Sequence, residues 1–156
     1  MSPSATYRVD TRQLVVAFLG LVVATSSLEG IWYLSIAEGL YNAQIGALMK
    51  VPFDVPVAVL FYLIYALGAV IFALRPALER RSLRHAVGAG AMYGFFCFCA
   101  HNLTDLADVK GFSWQIALVD IAWGTGMSAV ASLLAYRLAR SAGRQEDLGA
   151  APVRSH

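Results

Sequence analysis

"VAVLFYLIYALGAVIFAL", residues 57–74, holds no ionisable group except Tyr62 and Tyr65. An amphipathic helix on a soluble core would carry a polar residue at every third or fourth position, and this stretch does not. Its length is close to the roughly 20 apolar residues that cross a hydrocarbon core of about 30 Å. Similar runs lie on either side, so that apolar segments occupy about 13–36, 55–75, 86–106 and 113–136. Over the whole chain 58% of residues are hydrophobic and 14% charged, against about a quarter charged in soluble domains. The sequence therefore predicts an all-α, four-transmembrane-helix bundle.

The cations set an expected orientation. Ten of the twelve basic residues are arginines: Arg8 and Arg12, then Arg75, Arg80, Arg81 and Arg84, then Arg137, Arg140, Arg144 and Arg154. The other two connections carry one lysine each, Lys50 and Lys110. By the positive-inside rule both termini and the "RPALERRSLRH" loop are cytoplasmic, N-in and C-in, in a bacterial inner membrane. The arginines are thereby accounted for without nucleic acid. Arg8 and Arg12 precede an apolar run that continues through "IWYL", too long for a signal-peptide core, so the first run reads as an anchored helix. The expected organisation is a cytoplasmic segment 1–12, a membrane domain 13–140 and a disordered cytoplasmic tail 141–156. Asp54 and Pro56 suit a helix start. Pro76 is expected to stop the second helix, and Gly111 to turn the chain between the third and fourth.

Ionisable side chains inside a bilayer cost roughly 2.5–3.5 kcal/mol each on insertion scales and mark candidate sites. Glu29 lies in the first run, His101 and Asp105 in the third, and Asp120 in the fourth. Counted at about 1.5 Å per residue from the ends of their helices, Glu29, His101 and Asp120 share a depth of roughly 7–11 Å below the outer boundary. One depth on three helices is what a shared pocket requires, with Asp105 at its mouth. The alternative is structural pairing among these groups and with Tyr33, Thr25 or Asn102. Such contacts contribute only about 0.6 kcal/mol each in membranes. Asp108 and Glu38 read as solvated loop residues.

"EGIW" at 29–32 and "DIAW" at 120–123 repeat an acid-x-x-Trp pattern. The spacing of three puts an indole beside each carboxylate, as a hydrogen-bond donor. Trp32 and Trp114 equally suit an outer aromatic belt, whereas Trp123 is too deep for one. "GAMYG" at 90–94 and "GTG" at 124–126 allow close helix approach. Cys97 and Cys99 are misplaced for a mutual disulfide. Cys97 shares a face with His101, but no recognised metal-ligand spacing is present, and no metal is expected.

Glu29-x-x-Trp32, "YNAQIG" at 41–46, "FYLIYALG" at 61–68 with Pro76, and "LVDIAWG" at 118–124 carry a family resemblance. Over roughly 14–136 the chain resembles the bacterial membrane-protein family called domain of unknown function 2177. Where that family's third helix ends in Tyr-Asp-Leu-Thr-Asn, this chain has His101-Asn102-Leu103-Thr104-Asp105, with acid and amide exchanged. Glu29 stands where the family has aspartate. The resemblance implies a four-helix inner-membrane protein and points towards lipid chemistry.

These readings converge on an outer-leaflet polar pocket for a small molecule or lipid headgroup. Its expected ligand-binding residues are Glu29, Trp32, Tyr33, His101, Asn102, Asp105, Asp120 and Trp123; no cofactor is identified. Expected partners are membrane lipids, a second copy of the chain or another membrane protein. Two other readings stand beside it: an accessory or assembly subunit whose acids pair with a partner's helices, and a lipid-modifying enzyme with His101 as acid/base.

Overall fold

The structure, a computed structural model of the chain, describes residues 8–48, 52 and 54–149. Among these residues there are helices and turns and no strand. Helix α1 (Thr11–Trp32) opens on a capping box between Asp10 and Gln13. It does not end near 36. It widens into a π-helical turn over Tyr33–Ala37 and resumes as α2 (Glu38–Ile45). The combined helix is 35 residues long, about 50 Å at 1.5 Å per residue, well beyond what crossing a bilayer requires. The excess is used. Leu40, Tyr41 and Ile45 pack on Phe112, Ile116 and Ala117, forming a small second core at one end of the bundle.

Helix α3 (Val55–Ala69) is capped by Asp54, whose carboxylate accepts from the Val57 N–H, with Pro56 in its first turn. Pro76 does not stop the helix. A π-helical turn over Val70–Leu74 precedes it, and the helix continues as α4 (Arg75–Glu79). Proline lacks an N–H and its ring crowds the carbonyl four residues back; the wider turn relieves both effects. The break comes instead at Arg80 and Arg81, where Arg81 has φ 50°. Helix α5 (Leu83–Asp108) is capped by Ser82, and Gly111, with φ +90°, makes the turn into α6 (Trp114–Gly149). Helix α6 thus runs through part of the segment expected to be a disordered tail, and past the expected span end at 136. Residues 150–156 lie outside the described residues.

Helices α5 and α6 pair antiparallel along their length. Asn102 meets Asp120, Phe98 meets Gly124, Gly94 meets Ser128 and Gly90 meets Ser132, each step of one turn on α5 matching a step on α6. Gly90 and Gly94 permit this approach because a Cβ at either would fall on the opposing serine. Gly124 takes the Phe98 ring, whereas Gly126 faces open space and does not share the packing role expected of it. Helix α1 lies along α6 in the same antiparallel sense, from Gln13 Nε2 donating to the Ala139 carbonyl at 3.3 Å to Glu29 beside Trp123. Helix α3 completes the bundle: Tyr93 donates from α5 to the Tyr65 carbonyl at 3.1 Å. The Tyr65 hydroxyl lies 2.6 Å from Ser128 Oγ. Since Ser128 already donates to the Gly124 carbonyl, Tyr65 is the donor in that pair.

Polarity is distributed inside-out for a soluble protein. Gln13, Thr25, Asn102, Asp120, Ser128 and Ser132 are buried, while Leu34, Ile64, Phe72 and Phe96 are exposed. A surface of this kind is matched by hydrocarbon rather than water. Among the described residues three helices are long and apolar enough to cross a membrane: Thr11–Ile45, Val55–Glu79 and Trp114–Gly143. Helix α5, the remaining expected span, is less apolar because Gly88, Gly90, Gly94, His101 and Asn102 occupy it.

Candidate functional site

Glu29 lies in the last turn of α1, Asp54 caps the start of α3, His101 lies near the end of α5 and Asp120 near the start of α6. The antiparallel packing carries all four to the same end of the bundle. There they line one cavity of about 710 Å³, together with Tyr33, Tyr41, Val57, Ala58, Phe61, Tyr62, Tyr65, Cys97 and Phe98. The volume falls within the roughly 300–1,000 Å³ of small-molecule sites.

Each of the two deep acids is held by a neutral donor from another helix. Trp123 Nε1 donates to Glu29 Oε1 at 3.2 Å. Asn102 Nδ2 donates to Asp120 Oδ2 at 2.7 Å and also to the Phe98 carbonyl. Asn102 is fully buried and Asp120 is 8% exposed. The Tyr41 hydroxyl faces the Asp120 carboxylate from α2. His101 Nε2 lies 3.4 Å from Asp105 Oδ2, with the imidazole more than half exposed.

The indoles do not serve the carboxylates on their own helices. Trp123 crosses to Glu29, and Trp32 stacks on Trp123 with ring centroids 4.6 Å apart and planes within 8°. The rotation of α1 against α6 thus lays Trp32, half-buried, on Trp123. Trp114, by contrast, is 62% exposed. Among the described residues two buried groups have no hydrogen-bond partner, Trp32 Nε1 and Asn102 Oδ1. A buried group left without a partner costs about 1–3 kcal/mol.

Of the residues expected at the site, Glu29, Tyr33, His101 and Asp120 line the cavity. Trp32, Trp123 and Asn102 stand behind them as supports. Asp105 reaches the cavity only through His101, not as part of its wall. Thr25 turns to its own helix, donating to the Leu21 carbonyl at 2.8 Å. Asp108 and Glu38 are exposed, on helices rather than loops. Sequence reasoning missed Tyr41, Phe61, Tyr62 and Tyr65 as lining residues, and treated Asp54 only as a cap. The available signal was "FYLIY" at 61–65, which sets two tyrosines on adjoining turns of one helix face. Cys97 and Cys99 are free thiols, and among the described residues no group of three or more metal-ligating side chains converges.

The model of the family described as "Predicted membrane protein (DUF2177)" matches residues 14–137. The chain belongs to this family. The matched region covers α1 to most of α6 and so contains every residue named at the cavity. No curated protein and no solved structure matches the chain.

Proposed function

We propose that this protein crosses a bacterial inner membrane four times with both termini cytoplasmic, and binds a small molecule or lipid headgroup in an outer-leaflet cavity. The four-span reading is supported by the register of α5 on α6: a helix packed antiparallel along a membrane-crossing neighbour crosses with it. Orientation is supported by the arginines. Arg12, Arg75, Arg84, Arg137 and Arg140 all belong to the end of the bundle opposite the cavity, the end that the positive-inside rule assigns to the cytoplasm.

The observation that carries the binding reading is the convergence of Glu29, His101 and Asp120, from three helices, on one cavity. Acids kept inside a bilayer at about 2.5–3.5 kcal/mol each need a compensating role. Here they are oriented towards shared space rather than paired with a cation of the bundle. Native mass spectrometry of the protein released from its own membrane tests the reading, with wild type and Asp120→Asn side by side. The amide can still accept from Asn102, so the variant should keep its melting temperature while losing a small-molecule or lipid adduct that wild type carries. A variant that melts earlier with the adduct unchanged would mean that Asp120 serves only packing.

A lipid-modifying activity is the second reading, favoured by the His101–Asp105 contact of 3.4 Å. A carboxylate at one ring nitrogen orients the imidazole and leaves the other nitrogen for proton transfer.

A further inference from the structure

We propose that the cavity recognises an organic cation, a primary or quaternary ammonium group, between the Glu29 and Asp120 carboxylates and a wall of tyrosine and phenylalanine rings. The inference rests on the binding reading above and adds the class of ligand.

The charge of the cavity points one way. Glu29 and Asp120 are held by Trp123 and Asn102, whose N–H groups orient a carboxylate without cancelling its charge. Among the described residues no lysine or arginine lines the cavity. The basic side chain that does line it among the described residues, His101, is largely exposed and already beside Asp105. A phosphate or carboxylate placed here would meet like charge at low dielectric, whereas a cation would be attracted.

The wall points the same way. Phe61 sits edge-on to Tyr62 at 5.3 Å between centroids and tilted to Tyr65 at 5.7 Å; Phe98 meets Tyr65 edge-on at 6.5 Å. Their ring faces attract an ammonium group, most strongly where water is excluded. A bare metal ion fits poorly: 710 Å³ is far more than one ion needs, and no ligand cluster converges among the described residues.

An ammonium group can come from a free amine or from an amine-bearing lipid headgroup. The test uses protein in a maltoside detergent, which carries no nitrogen, and ligand-observed NMR. The probes are choline, ethanolamine, 3,3-dimethylbutanol as the uncharged shape of choline, and lysophosphatidylethanolamine against lysophosphatidylglycerol. Binding of choline or ethanolamine, with N-methyl or methylene signals moved upfield by ring currents, supports the proposal with a soluble amine as ligand. Binding confined to lysophosphatidylethanolamine supports it with a lipid as ligand. In either case Glu29→Gln and Tyr62→Leu should each weaken binding by about tenfold, the size of one desolvated cation contact. If dimethylbutanol or lysophosphatidylglycerol binds as tightly as its charged or amine-bearing counterpart, the cation inference is overturned and the cavity remains a binding site. If no probe binds, the cation inference is overturned, and the binding reading is decided separately by the adduct that native mass spectrometry finds on wild type and not on Asp120→Asn.

Discussion

Trp32 and Trp123 hold equivalent places in two acid-x-x-Trp stretches, yet they do different jobs. Trp123 donates to Glu29 across the α1–α6 interface, while Trp32 supplies a stacked ring and an N–H with no partner. Trp123→Phe leaves a smaller ring in the stack and takes the donor from the half-buried Glu29 carboxylate. It should lower stability by about 1–3 kcal/mol and weaken any ligand held by Glu29. Trp32→Phe trims the stack by the same amount but removes an N–H that has no partner, and should therefore cost less than Trp123→Phe. Thermal melts of the two variants in detergent make the comparison; equal losses would mean that stacking, not the hydrogen bond, holds the site. The repeated pattern was legible in the sequence, but its pairing was not. Spacing along one helix cannot reveal how that helix is rotated against another, and the rotation decided which acid each indole meets.

Helices α5 and α6 are held by small residues in register. A Cβ on Gly94 would fall on the Ser128 side chain and the Gly124 carbonyl, and the latter is backbone that cannot turn aside. Gly94→Ala should therefore destabilise the bundle by about 1–3 kcal/mol. Gly126→Ala, which meets nothing, should be neutral or gain up to about 1 kcal/mol from helix propensity. Melting temperatures moving the opposite way would refute the register. The apolar runs gave helix positions within a few residues at most boundaries, because hydrocarbon-length segments without charge have few other readings. The exceptions have physical causes. "EGLYNAQI" continues the first helix although it is polar, because Leu40, Tyr41 and Ile45 find the turn between α5 and α6 to pack against. Pro76 is carried through by a π-helical turn, a local change in hydrogen bonding with no sequence mark of its own. Tyr41, Tyr62 and Tyr65 escaped notice because tyrosine in an apolar run is equally at home against lipid and against a cavity.

At the scale of the molecule, the bundle has an arginine end and an acidic, aromatic end. This asymmetry was legible from the charges alone, as was the placing of Glu29, His101 and Asp120 at one end of the bundle. What could not be read was that the space between them is walled by α3 and roofed by α2. If the arginine end is cytoplasmic, a reporter active only in the cytoplasm and fused after residue 149 should be active, and a periplasm-only reporter silent; the reverse pattern would invert the bundle and put the cavity in the inner leaflet. The central claim is that the cavity between Glu29, Tyr62 and Asp120 holds a ligand. A density map of the protein purified in nanodiscs from its native membrane tests that claim most directly. The account predicts non-protein density within hydrogen-bond distance, about 2.7–3.2 Å, of a Glu29 or Asp120 oxygen and against the tyrosine wall. A map in which side chains close the cavity, or in which Glu29 or Asp120 faces the lipid, would contradict it.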